Sequence, residues 1–178
     1  SRAEEMIKDV RRIVEEVRRE NKRVLEEIEE IIKRSKEEWE KILKELRDII
    51  EEVERRNLDD ERLREILERL EKKLKDVDDR AKEINEELKD LLRRVHERNR
   101  EILRRLEEKV KEVKREGIDE ELLRRIKEVV DRARDTLRRL DEELKRIVEA
   151  VHDTDDKVKK ELEKIVREVE EIARRRSK

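Results

Sequence analysis

The chain has 178 residues, 61% of them charged and 33% hydrophobic, with one Gly, one Trp and no Pro, Cys, Phe or Tyr. Its 53 basic and 55 acidic side chains nearly cancel to a net charge of −2, which leaves no basic footprint for nucleic acid and no polybasic patch for a membrane surface. Without cysteine there is no disulfide framework and no thiol chemistry, and no apolar run approaches the roughly 18 residues that a membrane span needs.

So many charges beside so few apolar residues would suit a disordered chain, but the apolar residues here are strictly periodic. Ser1-Arg2-Ala3-Glu4-Glu5 reads as the entry to a helix rather than as a signal peptide. The first predicted helix covers about 2–56, with a stripe through Met6, Val10, Ile13, Val17, Asn21, Val24, Ile28, Ile31, Ser35, Trp39, Ile42, Leu46, Ile49 and Val53. The steps average about 3.6 residues, the period of a straight α-helix, so the stripe demands little supercoiling. Doublets such as Ile31-Ile32 widen the stripe beyond a two-stranded seam, as a core shared by several helices requires.

Asn57-Leu58-Asp59-Asp60-Glu61 then interrupts the pattern. Asn57 suits the left-handed residue that ends a helix, and Asp59 suits the N-cap of the next. The second helix is predicted over about 60–116, with a stripe from Leu63 through Leu70, Val77, Ile84, Leu88, Val95, Ile102 and Leu106 to Val113. The same loop follows sixty residues after the first as Gly117-Ile118-Asp119-Glu120-Glu121, with Gly117 and Asp119 in the two capping roles. Leu58 with Leu63, and Ile118 with Leu123, have the spacing of a hydrophobic staple. A third helix is predicted over about 120–176, with a stripe from Leu122 through Ile126, Val129, Leu140, Leu144, Val151, Val158, Leu162 and Ile165 to Ile172. Loops this short force antiparallel neighbours. The expected fold is all-α: one up-down-up antiparallel three-helix bundle of long, nearly straight helices spanning 1–178.

Most surface positions are Glu, Lys, Arg or Asp, so the few uncharged polar residues inside the helices carry information. Folding the chain at its loops gathers them at two levels. One holds Asn21, His96, Asn99 and Thr136; the other holds Ser35, Asn85, His152 and Thr154, with Trp39, Asp78 and Asp155 about a turn away. A buried polar group costs free energy unless it is paired. Grouping such residues across three helices is therefore expected to build hydrogen-bond networks that specify register and pairing. The plainer alternative is that residues at the stripe edge, such as Asn85 and His96, are interfacial and solvated. If His96 and His152 are instead buried and neutral, acid should disfavour the folded state.

Sharper chemistry finds little support. Ser35, His152 and Asp155 are the residue types of a nucleophile, a base and an orienter, but a continuous helical bundle offers no oxyanion hole and no substrate pocket. Two His on different levels and no Cys do not supply the ligand set of a zinc site, nor the two facing Glu-x-x-His pairs of a di-metal site. No cofactor, no metal and no catalytic residue is expected.

The repeated loop grammar, the absence of Gln, Phe, Tyr and Pro, and the paired polar levels resemble de novo designed helical bundles with buried hydrogen-bond networks. The resemblance covers the whole chain and implies idealised helices, high stability, no natural activity and no native location, in a soluble chain compatible with cytoplasmic recombinant expression. Natural three-helix repeats of the spectrin type share the topology but normally carry aromatics, Gln and less uniform loops. Two functions fit: a self-contained scaffold that needs no partner, or an interaction module awaiting a further helix or a second copy. In the second case edge residues such as Met6, Leu43, Ile50, Leu92 and Val166 would face the partner.

Overall fold

The computed structural model describes residues 2–55 and 57–176. They form three helices, α1 (Arg2–Arg55), α2 (Asp60–Arg115) and α3 (Glu120–Arg176), in an all-α, up-down-up three-helix bundle. Arg56, the expected last residue of the first helix, lies outside the described residues, and α2 ends at Arg115, one residue early. Acidic residues open each helix (Glu4 and Glu5, Asp60 and Glu61, Glu120 and Glu121) and basic residues close it, the arrangement that favours the helix dipole.

The contacts divide the chain into two compact units. The first comprises Ser1–Glu29 and Leu88–Ile147, the second Glu30–Glu87 and Val148–Lys178. In the first unit, Met6, Val10, Ile13 and Val17 of α1 pack with Ile102, Leu106 and Val113 of α2 and with Ile126, Val130, Ala133 and Leu137 of α3. Ion pairs along the rim fix the pairing direction. Asp9 meets Lys109 at 3.4 Å, Glu16 meets Arg105 at 3.4 Å, and Glu20 meets Arg98 at 2.9 Å. The α2 partner falls in number as the α1 partner rises, so α1 and α2 are antiparallel there.

The second unit is built the same way. Trp39, Leu46, Ile49 and Val53 of α1, Leu63, Ile66, Leu70, Val77 and Ile84 of α2, and Val151, Val158, Leu162 and Val169 of α3 are buried. Here Glu38 pairs with Arg80 at 3.0 Å, Glu45 with Lys73, and Glu52 with Arg62 at 3.5 Å, again in antiparallel order. Burying one Leu or Ile completely stabilises by about 1.5–3 kcal/mol, whereas an exposed ion pair contributes about 0–1 kcal/mol. The apolar stripes therefore supply the stability, and the ion pairs report and bias the register.

The two loops resemble each other in sequence but close differently. At the second, Gly117 has φ +65° and its N–H donates to the Lys114 carbonyl at 3.3 Å, so a left-handed residue ends α2. Asn57 does not take that conformation, since no residue other than glycine has a positive φ among those described. Asn enters the left-handed region more readily than most residues, but unlike glycine it carries a Cβ that disfavours it there. The last turn of α1 is closed instead by the Arg176 guanidinium, which donates to the carbonyls of Val53 at 3.1 Å and Leu58 at 3.3 Å. Asp59 and Asp119 both begin their helices, with carbonyls that accept from the N–H groups of Leu63 (3.1 Å) and Leu123 (3.0 Å). The Asp59 carboxylate also accepts from the Arg62 N–H at 2.8 Å, the bond of an N-cap.

Candidate polar sites

In the second unit, Trp39 of α1 and Asp155 of α3 meet in the core. The indole Nε1–H donates to Asp155 Oδ1 at 2.9 Å, with the two residues 3% and 7% exposed. Trp39 sits on the α1 stripe, so the helix period aims it inward, and the parallel run of α3 brings position 155 alongside. Burial pushes the Asp155 carboxyl above its ordinary pKa; the indole hydrogen bond and His152 oppose the shift, and neighbouring Asp156 adds to it.

The other residues expected at this level do not join them. Ser35 is buried, but its hydroxyl donates to the Ile31 carbonyl of its own helix at 2.8 Å. The Thr154 hydroxyl likewise donates to the Ala150 carbonyl at 2.9 Å from an exposed position. His152 is exposed and Asn85 half-buried. A hydroxyl on a helix always has the carbonyl four residues earlier within reach, and that local bond needs no partner helix. Ser35, His152 and Asp155 are accordingly joined by no hydrogen bond among the described residues, and the Ser35 proton is held on backbone.

The first unit divides its level between two faces. His96 and Asn99 line a cleft of about 430 Å³ between α2 and α3, together with Arg100, Arg134, Arg138 and Asp141. His96 Nδ1 lies 3.0 Å from Asp141 Oδ1, with the His96 side chain 58% exposed, and Asn99 is buried at 9%. Thr136 belongs to a different, smaller cleft between α1 and α3, lined by Val14, Val17, Val129 and Ala133. Its exposed hydroxyl donates to the Arg132 carbonyl at 2.9 Å, and Asn21 is half-buried. No hydrogen bond links Asn21, His96, Asn99 and Thr136 to one another among the described residues. The levels are thus a matter of height along the helices, while the direction of each side chain decides what it meets. Because both His residues are exposed, acid lability cannot come from buried neutral imidazoles.

Two partners were not visible from the sequence. Asp141 is one acidic residue among 55, and only its register opposite His96 distinguishes it. Arg176 reads as an ordinary basic residue at a helix C-terminus. Among the described residues no group of three or more His, Cys, Asp or Glu side chains could hold a metal ion, and no helix is long and apolar enough to cross a membrane.

No known protein family matches the chain, and no curated protein matches it. Among solved structures it is similar to a computationally designed three-helix bundle, 20% identical, covering 97% of this chain and 82% of that one with a TM-score of 0.45.

Proposed function

We propose that this chain is a designed structural scaffold without catalytic activity, in which each unit buries the apolar faces of its own three helix segments. The observation that carries this reading is the absence of any exposed large hydrophobic side chain among the described residues. Of the edge residues that would face a partner, Met6 and Val166 are buried and Leu43, Ile50 and Leu92 are half-buried. A bundle awaiting a further helix would present a contiguous apolar strip to solvent. The loop repeat and the uniform Glu, Lys and Arg surface add support, as both are features of idealised construction. Within this reading the Trp39–Asp155 bond and the ordered ion pairs bias the helices toward one register, since a slipped neighbour would leave Asp155 buried without its donor.

Light scattering across a concentration series tests the scaffold reading. A constant mass of 22.1 kDa is the expected result. A mass that rises with concentration overturns it in favour of an interaction module that self-associates.

A further inference from the structure

A carboxylate has about four lone-pair sites that water fills in the unfolded chain. In the second unit Asp155, 7% exposed, gives up most of that hydration and gains one neutral donor, the Trp39 indole N–H on Oδ1, and among the described residues no cation lies within ion-pair distance of it. A single neutral hydrogen bond offsets only part of the cost of burying a charge.

The lysines and the arginine nearest in sequence to the pair's level are committed elsewhere. On α3, His152 lies one turn earlier and exposed, Asp156 is adjacent, and Lys159 one turn later is bound to Asp78 of α2. On α2, Lys82 faces Asp78 at 3.8 Å, and Arg80 is held by Glu38 and Glu83. On α1, Glu38 and Glu40 flank Trp39, and Glu38 is the partner of Arg80. Lys159, Lys82 and Arg80 are thus engaged by other carboxylates, and the burial of Asp155 beside one neutral donor favours its neutral form more than water does.

We propose that Trp39 and Asp155 form a proton-operated device in which uptake of a proton at Asp155 relieves the burial of its charge and stabilises the folded second unit in mild acid, with Trp39 as its optical reporter. The sign follows from linkage. A carboxyl whose folded value lies above its unfolded one contributes stability that is complete below the ordinary Asp value of about 3.9 and is lost as pH rises through the folded value. This is the reverse of the usual acid-labile carboxylate. It does not depend on whether the pair sets the register.

Two measurements on the intact protein test the device. The first follows the Asp155 carboxyl carbon by NMR through a pH titration, with a midpoint above about 3.9 expected. The second compares guanidinium unfolding of the parent with Asp155→Asn, which keeps an acceptor for the indole but cannot ionise. The parent's folded-to-unfolded ratio relative to the variant should fall as pH rises, by about tenfold for each pKa unit separating the folded and unfolded values. Trp39 emission should step at the same midpoint in the parent and stay level in the variant. A carboxyl midpoint at or below about 3.9, a difference that is flat across pH, or an emission step that survives in Asp155→Asn each overturns the proposal. If Asp155→Asn fails to fold, the carboxyl titration decides alone.

Discussion

Arg176 Nη2 donates to the Val53 carbonyl at 3.1 Å, so a side chain from the end of α3 closes the last turn of α1. The same guanidinium holds the Leu58 carbonyl in the loop, which places both acceptors in one planar fork. Arg176→Met keeps much of the apolar stem and removes both donors. It should cost about 2 kcal/mol, the worth of two typical hydrogen bonds, and speed amide exchange at the end of α1 and at Asn57 and Leu58 ahead of the rest of the second unit. Exchange that is unchanged there would show that the loop is held by its own backbone.

Gly117 and Asn57 occupy equivalent places in the two loops but only Gly117 is left-handed. An added Cβ at Gly117 would meet nothing within 4 Å, so the cost of Gly117→Ala is purely conformational, about 1 kcal/mol or slightly more. Asn57→Ala carries no such penalty and should shift stability by no more than about 0.5 kcal/mol. Equal losses in the two variants, read from chemical unfolding, would contradict the difference in backbone between the loops.

Thr136 and Thr154 spend their hydroxyls on carbonyls of their own helix. Alanine is the better helix former, so Thr136→Ala and Thr154→Ala should be neutral or stabilising by about 0.5 kcal/mol. A loss above about 1 kcal/mol in either variant would mean that the hydroxyl serves a partner on another helix.

Asp78 and Asp155 belong to the same unit and have carboxyls shifted in opposite directions from the ordinary value. The Lys159 ammonium donates to Asp78 and holds its carboxyl below the ordinary range, with burial opposing and Lys82 assisting. A lowered folded value gives stability that is present above the ordinary Asp value of about 3.9 and lost as pH falls through the folded one. Asp78→Asn should therefore unfold at lower denaturant than the parent at neutral pH, and the gap should close in strong acid and shrink in high salt. A gap that persists in acid would assign the effect to packing.

Most of the fold is legible in the residues. A stripe at the helix period placed Leu46, Leu70, Leu106 and Leu162 in the core, and the loops at Asn57 and Gly117 bounded the three helices to within a residue at α2. The polar contacts are less legible, for a geometric reason. Height along a bundle follows from residue counting, but whether Thr136 or His96 points at a neighbour depends on an angle around the helix that a small shift of the stripe changes. Hydroxyls are also ambiguous, because the backbone of their own helix competes for them. Residue counting put Trp39 and Asp155 about a turn from the same level without pairing them. An indole has a single donor and no acceptor for it on its own turn, and the structure shows Asp155 as the acceptor.

Trp39 is the chain's one tryptophan, and it lies in the second unit. Emission therefore lights one half of the molecule and leaves the other dark, whereas helix dichroism sums over both. Agreement of the two signals in a melt would mark one cooperative transition, and a gap between them would time the dark half against the lit one.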